Sequence, residues 1–136
     1  MWPDRVHLEG EEIRLVPLDV SHAADLFAAA DPELFRFTAQ GPTEWSVAGF
    51  EQEIAKTCAI PASVPLAIIQ KSTGRAVGRT TYMEIRESMR TLEIGRTWID
   101  RAHHGTRVNP EAKFLMLRHA FESLDPPANR VQLTTA

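Results

Sequence analysis

Apolar residues recur along this chain with two different periods, and each change of period marks a change of predicted element. Ile13, Leu15 and Pro17 alternate with Arg14 and Val16, as expected of a short strand. Ser21 is placed to cap the next helix, which contains Ala24, Leu26, Phe27 and Ala30 and is ended by Asp31-Pro32. The segment LFRFTAQGP is apolar but bounded by Gly41-Pro42. Thr43 then opens a second helix in which Phe50, Ile54 and Cys58 fall on one face, so Cys58 reads as buried packing rather than as a nucleophile.

Strand-like runs return at residues 65–70, 76–86 and 91–99, joined by the Lys71 to Arg75 turn and the Glu87-Ser88-Met89 connection. They predict an antiparallel meander. A helix over residues 110–124 comes next, with Leu117, Phe121 and Leu124 along one stripe, then Pro126-Pro127 as a stop and a final strand over 130–135. A helix between two strands makes that last pair parallel. No repeat, low-complexity run or linker interrupts this order, which predicts one mixed α/β domain over residues 1–136.

Composition narrows the function classes. The 136 residues are 43% hydrophobic and 24% charged, near globular averages and enough for a core. The net charge of −3, with dispersed lysines and arginines, argues against a nonspecific nucleic-acid binder and leaves room for a mildly cationic partner. Cys58 is the single cysteine, which excludes an intrachain disulfide and a cysteine-rich metal site. The opening MWPDRVHLEGEE has no apolar leader and no segment is long enough to span a bilayer, so a cytosolic protein without a membrane partner is expected.

Candidate chemistry gathers between residues 91 and 124. Gly105 centres a turn between strand and helix, and the helix start is written as Asn109 (N-cap), Pro110 (first helical position) and Glu111 (a carboxylate in the first turn). Unpaired N–H groups at a helix start stabilise an anion. Arg107 and the His103-His104 pair stand beside it, and a phosphorylated ligand is one reading; a strand-turn-helix unit with no ligand is the other. On the preceding strand Glu93, Gly95, Thr97 and Ile99 fall on one face and Leu92, Ile94, Arg96 and Trp98 on the other. Glu93 is thereby a candidate base or amine-orienting carboxylate, against the commoner role of a solvated or ion-paired group. Tyr82 and Glu84 on the neighbouring strand reach the same region, Tyr82 more simply as packing and Trp98 as core. His103 and His104 have no further ligand at zinc spacing and read as a solvated loop pair, and His7, His22 and His119 form no catalytic constellation, so no metal is expected. Arg118 and Glu122 are spaced as a surface ion pair.

The wording EIG-x-TWI, a short loop, and HGTRVNPEAKFLMLRHAFE resembles the cofactor-binding region of GCN5-related N-acetyltransferases (GNAT), in particular the ribosomal-protein N-terminal acetyltransferase branch. LEGEEIRLVPLDVSHAADLFAAA is similar to that branch's opening strand and first helix, and LAIIQKSTGRAVGRTTYMEI to its central hairpin, so the resemblance covers nearly the whole chain. It implies a GNAT-like fold and transfer of acetyl from acetyl-CoA to a primary amine, either a protein N-terminus or a small amine. It also implies that acetyl-CoA is held by Trp98 and Ile99 through their backbone and by the loop of His104, Gly105, Thr106, Arg107, Val108 and Asn109, with an acid at Glu93. The family's diphosphate loop usually reads Gln/Arg-x-x-Gly-x-Gly/Ala. With its first glycine on Gly105, Ala102 takes the opening position and Arg107 the closing one, where it either blocks the diphosphate or reaches it with its guanidinium.

The family pattern continues beyond a strand such as this last one with another helix and two more strands. A C-terminally truncated GNAT fold is therefore expected: a deliberately shortened chain, a naturally short product, or a protomer completed by a homodimer through its exposed final strand. The alternative to the enzyme is a noncatalytic binding or assembly module on the same scaffold.

Overall fold

Strand β1 (Leu8–Glu9) turns directly into β2 (Ile13–Pro17), and two helices, α1 (Ala23–Ala29) and α2 (Val47–Cys58), come before the chain returns to the sheet. The meander is β3 (Val64–Gln70), β4 (Arg75–Arg86) and β5 (Thr91–Ile99); α3 (Val108–Arg118) then crosses to β6 (Arg130–Leu133). The computed structural model describes residues 6–35 and 41–133, so most of the 34–42 segment and the expected strand residues 134 and 135 lie outside it. The six strands lie in the order β1-β2-β3-β4-β5-β6. Every pairing is antiparallel except β5 with β6, which run parallel because α3 carries the chain back to the same end of the sheet.

Both faces are covered, which is why β3 reads as an almost unbroken apolar run. Leu66 and Ile68 point to the side of α3, where they join Ile13, Leu15, Tyr82, Ile94, Leu115 and Met116. Ala67 and Ile69 point to α1 and α2, where they meet Leu26, Phe50, Ile54 and Trp98.

Three irregularities interrupt the alternation. Between the pairs Ile68↔Gly78 and Ile69↔Ala76, β4 carries one extra residue. It carries another between Met83↔Glu93 and Arg86↔Thr91, where Glu84 has φ +49°. The third lies on β5, where Thr81↔Gly95 is succeeded by Arg79↔Trp98 and Arg96 has φ +50°. Each is a β-bulge, and each moves the residues beyond it to the opposite face. Leu92, Ile94 and Ile99 consequently share the α3 core while Trp98 belongs to the other. The expected face of Glu93, Gly95, Thr97 and Ile99 is thus split at Arg96.

Several local expectations are corrected. Asp19, not Ser21, caps the turn leading into α1: its carboxylate accepts from Ser21 N at 3.0 Å while His22 Nδ1 accepts from Asp19 N at 3.0 Å. Ser46, not Thr43, caps α2, accepting from Gly49 N at 3.0 Å. Helix α2 buries Phe50, Ile54 and Thr57, leaving Cys58 exposed. Its Sγ lies 3.5 Å from the Leu18 carbonyl, and partial burial pushes the thiol pKa up, away from nucleophilic use. Helix α3 begins at Val108, so Asn109 and Pro110 lie inside its first turn instead of at its cap. It buries Ala112, Leu115 and Met116, and a π turn at His119–Ser123 changes the helical phase, so Phe121 is exposed. Arg118 lies over the Phe114 ring, 5.1 Å from its centroid, in place of the expected contact with Glu122.

Candidate active site

At the C-terminal end of β5 a short turn, Arg101–His103, leads to Gly105 and into α3. Gly105 has φ +76°, a conformation that glycine adopts without a steric penalty, and no atom lies where its Cβ would be. Thr106 closes the turn on both sides, donating from Oγ1 to the His103 carbonyl at 2.6 Å and accepting from Val108 N at 3.3 Å. Among the described residues, the N–H groups of Gly105 and Arg107 have no protein acceptor. That leaves two donors at the positive end of α3, the chemistry that a diphosphate requires.

A cavity of about 320 Å³ opens on this turn, lined by Leu34, Thr97, Trp98, Ile99, His103, His104, Gly105 and Asn109. The structure therefore brings together five of the expected cofactor residues: Trp98, Ile99, His104, Gly105 and Asn109. Thr106 and Val108 do not line it; Thr106 shapes the turn and Val108 is buried in the α3 core. Arg107 turns the other way, its guanidinium 3.3 Å from the Glu11 carboxylate on the far side of the helix. His103 is corrected from solvated to partnered, while His104 is exposed as expected and also meets a backbone carbonyl. His103 holds the Asp100 carboxylate through Nδ1 and lies 3.0 Å from Gln70 Nε2 through Nε2, and His104 Nε2 is 2.8 Å from the Ile99 carbonyl. Asp100 and Gln70 thus brace the loop against the β3–β4 hairpin. Gln70 was beyond reach of the sequence, being 33 residues from His103, whereas Asp100 stands three residues before His103 and was a local signal that the sequence reading missed.

Beyond Ile94↔Leu133 no described residue pairs with β5 on the β6 side, and this is the edge that Thr97, Trp98 and Ile99 present to the cavity. Glu93 lies on the other side of the Arg96 bulge and lines a different cavity, of about 370 Å³, together with Glu84, Arg86, Thr91, Arg130 and Gln132. Four residues of strand, roughly 13 Å, separate Glu93 from Thr97. Tyr82 belongs to neither cavity. It is fully buried, donates to the Met116 carbonyl at 2.5 Å, and burial raises its pKa, so it acts as packing. His119, whose ring centroid is 6.3 Å from that of Tyr82, has its pKa lowered by burial. Among the described residues no group of three or more side chains is arranged to hold a metal ion, and no helix is long and apolar enough to cross a membrane.

Comparison with known proteins gives a consistent picture. A family model described as an acetyltransferase (GNAT) domain matches residues 12–136. A solved structure of a proposed acetyltransferase from T. thermophilus is 32% identical with a TM-score of 0.86, covering 98% of this chain and 68% of that one. A GCN5-related N-acetyltransferase from Brucella melitensis is 28% identical with a TM-score of 0.77, over 90% of this chain and 57% of the other. The fold is also that of a ribosomal-protein-S5-alanine acetyltransferase from Vibrio fischeri, at 14% identity and a TM-score of 0.65, over 87% of this chain and 68% of the other. The chain thus spans 57% to 68% of the length of these three. No curated protein matches it.

Proposed function

The chain belongs to the GNAT acetyltransferase family, and from that premise we propose that it transfers acetyl from acetyl-CoA to a primary amine as a single domain. The observation that carries this reading is the bulge at Arg96. It turns β5 so that a stretch of the strand with no β6 partner among the described residues lies beside the Gly105 turn, while Glu93, on the other side of the bulge, faces a second cavity. The two cavities thus lie on either side of the bulge, sharing β5.

In this arrangement the diphosphate of acetyl-CoA lies on the Gly105 and Arg107 amides at the start of α3, and the pantetheine arm runs along β5 at Trp98 and Ile99, where His104 Nε2 meets the Ile99 carbonyl. The thioester then reaches the bulge. Glu93 accepts one proton of the incoming ammonium, the freed amine attacks the thioester carbon and the C–N bond forms; the C–S bond then breaks, and the second proton lost from the nitrogen passes to the departing thiolate, which leaves as the thiol. Acetyl-CoA enters as a substrate, and no metal is needed for any of these steps.

Calorimetric titration of acetyl-CoA into the 136-residue chain, with the mass in solution measured on the same sample, tests the proposal. Micromolar binding is expected, and a mass of two chains would mean pairing through β6. An absence of binding would end the enzymatic reading in favour of a noncatalytic module, for which the engagement of Arg107 by Glu11 is the favouring observation.

A further inference from the structure

The second cavity has an ordered pattern of charge that a generic amine acceptor does not explain. Strand register arranges the residues on this face in two rows across β4, β5 and β6. Arg86, Thr91 and Arg130 form one row, through the pairs Arg86↔Thr91 and Thr91↔Arg130. Met83, Glu93 and Gln132 form the next, through Met83↔Glu93 and Glu93↔Gln132. The rows are two residues apart, about 7 Å along the strands. Glu84 projects from its bulge between them, and that same bulge puts Arg86 on the face of Glu93. Without the extra residue Arg86 would point toward α3, where Ile85 now packs. A non-glycine residue held at φ +49° is a cost that the fold carries to place these charges.

None of Glu84, Arg86, Glu93 and Arg130 has an ion pair or a side-chain hydrogen bond among the described residues, although all four line the cavity. Here the carboxylates and guanidinia are set apart in rows, with the carboxylate row nearer the Arg96 bulge and the guanidinium row farther from it.

We propose that this cavity binds a small amine that also carries a carboxylate, of the free amino acid type. The ammonium meets Glu93 and Glu84, and the carboxylate is held between Arg86 and Arg130. Arginine suits that task because its planar fork pairs with a carboxylate through two parallel hydrogen bonds. Met89 supplies apolar wall for a side chain, and a volume of about 370 Å³ suits a molecule of amino acid size. The polarity also matches the chemistry, since the amine is the end that lies toward the thioester. That this ligand is the acetyl acceptor rests on the transfer reading given above; that the cavity binds it does not.

Saturation-transfer NMR on the chain with the twenty protein amino acids as probes, each beside its carboxamide and with trialanine amide as the peptide control, tests the site without acetyl-CoA. One or more free amino acids are expected to bind. The carboxamide should bind about 10- to 100-fold more weakly, and Arg130→Gln or Arg86→Gln should cause a similar loss for the free acid only. Both arginines are exposed or at the cavity rim, so these variants retain the fold, and circular dichroism checks it. Binding of no amino acid, or of carboxamides equally well, overturns the proposal. Acetylation of trialanine amide in the absence of amino acid binding overturns it while sustaining the transferase. An amino acid that binds but is not acetylated when acetyl-CoA is bound sustains the site and sinks the transferase.

Discussion

At the scale of single residues, Glu111 carries more than its place in the first turn of α3 implies. Its carboxylate accepts from Glu11 N at 3.3 Å, Glu12 N at 3.0 Å and Ile13 N at 2.8 Å, so it gathers the β1–β2 turn onto the helix. Gly10 makes this possible, because a Cβ there would sit 2.7 Å from Glu111 Oε2. Glu111→Ala leaves three amides to water or to nothing, and a loss of about 1.5–3 kcal/mol is expected in urea unfolding; a change within experimental error would show the contact to be incidental. Glu93 calls for a different measurement. If it is the base, Glu93→Gln lowers kcat about 100-fold or more while leaving acetyl-CoA affinity unchanged, and equal turnover across the pH range would remove it from the mechanism. The residue scale was unevenly legible in the sequence. Glycine at position 105 announces its positive φ, and Glu93 stands out by its strand and motif, but the partners of Glu111 lie 98 to 100 residues away. No local pattern encodes a contact of that kind.

At the scale of elements, the sequence placed β5 at its observed limits and the meander in its observed order, because alternation and turn residues are local signals. It missed the bulges. Leu92, Ile94, Arg96 and Trp98 alternate evenly in the sequence, and only the pairing with β4 shows that one residue is extra. The helix caps failed for a related reason: Ser21, Thr43 and Asn109 each had a competitor within three residues, and backbone geometry chose among them. Gly78 shows how tightly the two central strands meet beside Trp98 and Ile99. A Cβ there would lie 2.2 Å from the Trp98 carbonyl oxygen, which is backbone and cannot move aside. Gly78→Ala is therefore expected to push β4 from β5 and cost at least about 2 kcal/mol. It should also weaken acetyl-CoA binding, since Trp98 and Ile99 form the edge being displaced. Chemical unfolding and the calorimetric titration check both effects, and a stable variant with full affinity would refute this account of the strand contact.

At the scale of the molecule, the family resemblance conveyed the fold as a whole, while nothing in the sequence indicated how α2 is fixed to the sheet. The answer is a buried arginine. Arg79 on β4 is 1% exposed, and its guanidinium donates to Glu53 at 2.7 and 2.5 Å and to Thr57 at 3.1 Å on α2. This explains why Thr57, instead of Cys58, occupies the buried face of that helix. Two charges removed from water gain little net stability from meeting, but removing one of them strands the other. Glu53→Ala is thus expected to cost about 3–5 kcal/mol, whereas the double change Arg79→Met with Glu53→Leu, which replaces the pair by apolar side chains, should be close to neutral. Unfolding curves for the single and double variants separate the two cases. A double variant as unstable as the single one would mean that the pair is needed for its own attraction and not merely for mutual neutralisation. Because Trp98 packs in the same core as α2 and also lines the cavity beside Gly105, the proposed site predicts that the single variant weakens acetyl-CoA binding at a distance and that the double variant restores it.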